Sequence, residues 1–350
     1  MLKIIIGDYM KHEIDLKKYQ IRTDLLIENL DDLNKSKSKN KEFENIKVTS
    51  VTLNKEDAFK ISKKPGNYIT IEFDDITDSD NSKNVTKVFV KSLKSLLKKI
   101  NVKENDTCLV VGLGNIKSTP DSLGPLAIQN ITVTRHLYLL GEVDSNYRNI
   151  AAYAPGVMGV SGIETLDILL GIIDKIKPDF LIVIDALASN SIERVNKTIQ
   201  MSDTGINPGS GIGNSRKEIS FETLKIPVIA IGIPTVVDAV SVVSDTINYM
   251  HKHYAFNKKF INSPLNRLVS TNKINYLKEQ IDVNANDKTN LLGLVGSLNE
   301  FEVRSLISEV LTPIGYNLMV TPKEIDFVIQ KLANIISDGI NNSLNKKTIK

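Results

Sequence analysis

Apolar residues recur at helical spacing through Val85, Val88, Phe89, Leu93, Leu96, Leu97 and Ile100, with lysines on the opposite face. That periodicity predicts an amphipathic helix. The pattern then changes. Residues 107–115 form a continuous apolar run closed by Gly112 and Gly114, as expected of a buried parallel strand. Asp179 to Asp185 and Ile226 to Gly232 repeat it, and helical patterns over Ile163 to Ile176 and Asp238 to His251 separate the runs. Strands alternating with helices predict an α/β fold, a mostly parallel sheet flanked by helices on both faces. Two more helices are predicted near the C-terminus. One covers Glu300 to Leu311. The other opens at Thr321, with Thr as N-cap, Pro322 at the first helical position and Glu324 completing a capping box, and buries Ile325, Val328, Ile329, Leu332 and Ile336. Two stretches break the pattern. Lys35 to Lys41 is polar and repetitive and reads as a solvated loop, and Tyr254 to Lys288 reads as an irregular excursion from the sheet. There is no internal repeat.

The 350 residues suffice for a sizeable core. A net charge of +3, from 44 basic and 41 acidic residues, argues against a dedicated nucleic-acid or membrane-surface protein. Cys108 is the sole cysteine, so no internal disulfide and no cysteine-based zinc site is expected. The apolar start is broken by Asp8 and Lys11 before it reaches signal-peptide length, and no run is long enough for a membrane helix. A cytoplasmic protein without cofactor is the expectation.

In an open parallel sheet, reactive groups collect beyond the carboxyl ends of the strands. Asp185 ends one predicted strand and Asp121 lies in the loop after another. Both carboxylates should emerge at the same edge, and they face each other if the strands are neighbours. A close pair cannot easily ionise twice, so it holds one proton near working pH. The ionised member then draws a proton from water while the protonated member polarises a peptide carbonyl. The plain alternative is that each aspartate caps a helix. The glycine-rich segments leave similar choices open. Residues 112–117 lack the third glycine of a dinucleotide fingerprint. Residues 155–162, including Gly156, present backbone amides to a substrate or form a tight turn. Residues 208–214 cradle an anion or turn tightly. Cys108 reads as buried and inert, and His136 as a structural histidine. Ser210 lacks the strand-to-helix elbow that a serine nucleophile needs.

Taken together, these segments resemble the germination protease (spore protease) family. The resemblance is carried by residues 110–115 with Thr119-Pro120-Asp121, by 155–159, by Ile184-Asp185-Ala186-Leu187-Ala188, by 202–206, by 231–240 and by 317–324. It implies a fold similar to hydrogenase-maturation peptidases (phosphorylase/hydrolase-like) and an atypical aspartic endopeptidase that acts on small acid-soluble spore proteins in the forespore or spore core during germination. It also implies a homotetramer, with Asp121 and Asp185 as the catalytic pair. The family is made as a self-processing zymogen. The matching Arg22-Thr23-Asp24-Leu25 places the cut between Asp24 and Leu25, so residues 1–24 would be a propeptide, longer than in relatives, and residues 25–350 the peptidase domain. An acidic residue before the cut calls for a cation, and Arg135, Arg194, Arg216 and Lys217 are candidates. Ser189-Asn190 and Asn207 depart from the residues that the family pattern leads one to expect. Two rival readings remain: a metal-assisted peptidase using Asp121, Asp185 and His136, and a sheet-edge binding module without catalysis.

Overall fold

A computed structural model describes residues 23–32, 38–144, 146–209, 216–260, 276, 281–311 and 318–346. Most of the expected propeptide, the tip of the glycine-rich stretch at 210–214 and most of 261–280 lie outside the described residues. Two compact units divide the chain, one comprising 22–246 with 317–350, the other 1–21 with 247–316.

The larger unit is built on a sheet of nine strands among the described residues: β1 (Ser38–Phe43), β2 (Ile46–Leu53), β3 (Gly66–Glu72), β4 (Cys108–Gly112), β5 (Ile150–Tyr153), β6 (Phe180–Ser189), β7 (Thr198–Ser202), β8 (Val228–Asp238) and β9 (Met319–Val320). Their order is β1-β2-β3-β7-β8-β6-β4-β5, with β9 also on β8. The expected α/β class and helix-flanked sheet are present. Parallel pairing is confined to β8-β6-β4-β5, while every other pairing is antiparallel, so the sheet is mixed. The reason is local. β1 and β2 are joined by a two-residue turn, which permits only antiparallel neighbours, whereas the parallel strands are separated by helical crossovers.

The helices are α1 (Lys55–Lys60), α2 (Ser79–Lys99), α3 (Leu123–Gln129), α4 (Arg135–Leu140), α5 (Met158–Ser161), α6 (Thr165–Ile176), α7 (Phe221–Leu224), α8 (Ala239–Phe260), α9 (Ala285–Leu292), α10 (Glu300–Leu311) and α11 (Ile325–Leu344). Side chains of the parallel strands alternate between two cores. Val110, Ile182, Ile184, Ile229 and Ile231 pack with Phe89 and Leu93 of α2 and Leu332 and Ile336 of α11. Leu109, Val111, Leu181 and Val183 pack with Leu166 and Leu169 of α6. This two-residue alternation fixes which face each following residue joins.

Three expectations need correction. The segment Ser38–Phe43 is an edge strand rather than a loop, and its lysines lie on the solvated edge, where charge discourages further pairing. The helix predicted to end at His251 continues to Phe260, which removes residues 254–260 from the irregular excursion. The final helix starts at Ile325, with Glu324 and not Thr321 at the N-cap position and no side-chain cap, and the Thr321 hydroxyl donates to the Thr235 carbonyl at 2.9 Å. In the smaller unit, Tyr276 is packed edge-on against Tyr249, His253 and Phe256. No described helix is long and apolar enough to cross a membrane.

Candidate active site

β4 stops at Gly112, opposite Ile184 of β6, whereas β6 and β8 run on to Ser189 and Asp238. Beyond the shorter strand a cavity of about 390 Å³ opens. Its walls bring together Asp24, Asp121, Gly156, Asp185, Asn207 and Arg216. Asp185 therefore lies within β6 rather than at its end, but at the level where its neighbour β4 has already finished.

A compact turn holds Asp121. The Asn115 N–H donates to the Asp121 backbone oxygen at 3.0 Å and to its Oδ2 at 2.9 Å. The Asp121 N–H donates to the Ser118 carbonyl at 2.8 Å. The Thr235 hydroxyl donates to the Pro120 carbonyl at 2.6 Å, which ties the turn to β8. Gly114 makes the turn possible. Its φ is +112°, and a Cβ there would lie 2.0 Å from the Asp121 backbone oxygen. Neither aspartate caps a helix through its side chain: Asp121 serves Asn115, and Asp185 Oδ1 accepts the N–H of Ala186 at 2.9 Å.

Burial controls the electrostatics. Asp185 is only 6% exposed. Burial, then the Asp121 charge, then the Asp24 charge raise its carboxyl well above the usual carboxylate range, against opposing effects of the Ala186 N–H and Arg216. Burial also raises Asp121, opposed by the Asn115 N–H and Arg216. The two carboxylates with Asp24 beside them thus favour holding a proton, and Asp185 is the better holder because it is the more deeply desolvated.

This has a consequence for stability. Between the ordinary value of 3.8 and its raised value, folded Asp185 keeps a proton that the unfolded chain has released, so its contribution to stability is full below 3.8 and is lost as pH rises through the raised value. With Asp121→Asn as the reference, adding Asp185→Asn should raise Tm at pH 7, and the gain should shrink as pH falls toward 4. Thermal melts across that range check it; an equal Tm difference at both ends would contradict it.

The segment expected to be cut runs along the end of β6. The Asp24 N–H donates to the Ala188 carbonyl at 3.2 Å, and the Ala188 N–H donates to Asp24 Oδ2 at 2.9 Å. Leu25 and Leu26 are fully buried. Further along, Glu28 accepts the Ser189 hydroxyl at 2.7 Å and the Asn190 backbone N–H at 2.8 Å, so the departure at Ser189 serves this segment, while the Asn190 side chain accepts the Ser241 hydroxyl at 2.6 Å.

Of the cations nominated for an acidic residue, Arg216 alone lines the cavity. Arg194 faces Glu28 and Glu72, each at 3.5 Å; Lys217 pairs with Asp167 at 3.0 Å; Arg135 opens α4, away from the cavity lining. His136 is exposed on α4 and does not line the cavity, and the described residues hold no cluster of three metal-binding side chains. The Asp121–Asp185–His136 metal set is therefore not assembled. Gly156 does line the cavity, with φ of +73° and no atom within 4 Å of a Cβ position.

Two residues went unread in the sequence. Lys63 donates to the Thr23 carbonyl at 2.7 Å; burial pulls its pKa down, and the charges of Asp24 and Glu28 pull it back. Gln200 of β7 donates to the Asp24 carbonyl at 3.0 Å. Their partners lie 40 and 176 positions away, so no local pattern signals them.

A family model described as germination protease matches residues 12–350. A germination protease of Bacillus cereus is 47% identical, over 96% of this chain and 96% of its own. One from a Geobacillus species is 46% identical over 97% of each chain. A solved NiFe hydrogenase maturation protease from Thermococcus kodakarensis aligns at 15% identity and a TM-score of 0.26, covering 41% of this chain and 80% of its own.

Proposed function

This chain belongs to the germination protease family and is a peptidase, and from that premise we propose that it is an atypical aspartic endopeptidase, made as a zymogen that cuts itself between Asp24 and Leu25. The observation that carries the reading is the single cavity lined by Asp121, Asp185 and Asp24, the residue before the expected cut. Peptidase membership also sets aside the non-catalytic binding module.

Asp185, buried and with a raised pKa, holds the shared proton and points it at the scissile carbonyl. Asp121, which accepts the Asn115 N–H and has Arg216 nearby, is the ionised member that draws a proton from water. The acidic residue before the cut is met by positive charge. Lys63 bonds the preceding carbonyl and is coupled to Asp24 by charge, and Arg216 stands in the same cavity. The same preference suits small acid-soluble spore proteins as substrates of the processed enzyme, cut after acidic residues. That substrate class, the homotetramer and a place in the spore core rest on the family resemblance.

Intact mass of the purified chain followed over time tests the reading on wild type, Asp121→Ala and Asp185→Ala. Loss of residues 1–24 in wild type alone is expected. Equal loss in all three chains would remove the aspartate pair from the reaction.

A further inference from the structure

One side chain spans the bond to be cut. The Gln200 Nε2 donates to the carbonyl oxygen of Asp24 at 3.0 Å, and its Oε1 accepts the N–H of Leu26 at 2.6 Å. The carbonyl can only accept and the N–H can only donate, so the partners fix which end of the amide faces which group. The Asp24–Leu25 peptide lies between the two contacts.

The sheet puts Gln200 on the reactive face. Gln200 is in register with Gly232 of β8, and Gly232 with Asp185 of β6. Flanking residues Ile199, Met201, Ile231, Ile233 and Ile184 all enter the core on the opposite face. Gln200 and Asp185 therefore share a face across a residue without a side chain, two strand spacings or about 10 Å apart between backbones. The Leu187 side chain lies over Gly232 between them. The Asp24 carbonyl accepts from Gln200, and Asp24 and Asp185 line one cavity, of which Gln200 is not a wall.

We propose that Gln200 is a third catalytic residue of the Asp24–Leu25 cut, an electrophilic donor to the carbonyl oxygen that also holds the peptide on its far side through Leu26. The proposal rests on the self-processing reading and adds a group to it. Water oxygen adds to the Asp24 carbonyl carbon while the ionised aspartate takes one water proton. Negative charge develops on the Asp24 oxygen, which receives a proton from the other aspartate and a hydrogen bond from Gln200. The Asp24–Leu25 bond then breaks, with a proton passing to the Leu25 nitrogen and the hydroxyl proton returning to the pair. One water is consumed, an acid and an amine form, and the pair again holds one proton.

Self-processing of the full chain, followed as a first-order rate by intact mass, tests this with Gln200→Leu and Gln200→Glu. Gln200→Leu removes the donor and should slow the cut about 10²-fold, as loss of one preorganised donor does elsewhere. Tm in an Asp185→Asn background, with and without Gln200→Leu, checks that the chain still folds. Gln200→Glu keeps the shape. It should be slow at neutral pH, where its carboxylate has no proton to donate, and should recover relative to wild type as pH falls and it gains one. A Gln200 that merely anchors the segment through Leu26 would leave Gln200→Glu at the wild-type rate at neutral pH, because a glutamate oxygen still accepts that N–H. Either variant cutting as fast as wild type at neutral pH would overturn the inference alone. A wild-type chain that stays whole would overturn the processing reading beneath it.

Discussion

Asp185→Asn should slow hydrolysis of the Asp24–Leu25 bond by roughly 10⁴-fold or more, and Asp121→Asn by a similar factor. Asparagine keeps the shape of aspartate and can still accept the Ala186 or Asn115 N–H. What it cannot do is share a proton. The double variant should be little slower than either single one, because two groups passing one proton act as a unit and their losses do not add. The wild-type rate should fall on both sides of an optimum. It falls at low pH as the pair takes a second proton, and at high pH as the pair gives up its only one. Since burial raises both carboxyls, that optimum lies above the ordinary carboxylate value of 3.8. Rate constants from intact mass across pH measure all of this. A single asparagine variant within tenfold of wild type would reject the pair as the catalytic machinery.

Gly114→Ala should cost about 3 kcal/mol of stability and most of the activity. The methyl would sit 2.0 Å from the Asp121 backbone oxygen, on a residue whose φ of +112° suits glycine alone. Because the obstacle is backbone rather than a flexible side-chain end, the turn has to move, and Asp121 moves with it. The Asn115 N–H would then lose Oδ2, one of the interactions that favour ionised Asp121. On the scale of a few degrees per kcal/mol, Tm should fall by roughly 6–10 °C. Denaturant titration together with the processing rate checks both halves. A stable variant at full speed would show that the turn does not position Asp121.

Much of the fold was open to pattern reading. The buried runs that became β4, β6 and β8 are apolar because helices cover both faces of a parallel sheet, and covered strands leave a continuous apolar mark. Asp121 and Asp185 stood out as charges at the ends of such runs. The antiparallel part was less visible. β2, reading Ile46–Leu53, does alternate buried and exposed positions, but it lies beside a lysine-rich edge strand whose residues are almost all solvated and leave no apolar period. The same limit applied to the Thr321 cap. A capping signature records what a side chain is able to do, and here the helix starts three residues past the expected first position, while the Thr321 hydroxyl ties its loop to a carbonyl 86 positions away.

By itself, the sequence determined the alternation of strands and helices, the two strand-associated aspartates and the family, since each is written in contiguous residues. Tertiary structure decided which of those residues meet. That Asp185 is desolvated follows from β6 running past β4 under a covered face. That Arg216 enters the cavity while Arg135, Arg194 and Lys217 do not, and that Lys63 and Gln200 reach the Thr23–Leu26 segment, follows from strand order and register. These bring together groups up to 176 positions apart and leave no periodicity along the chain.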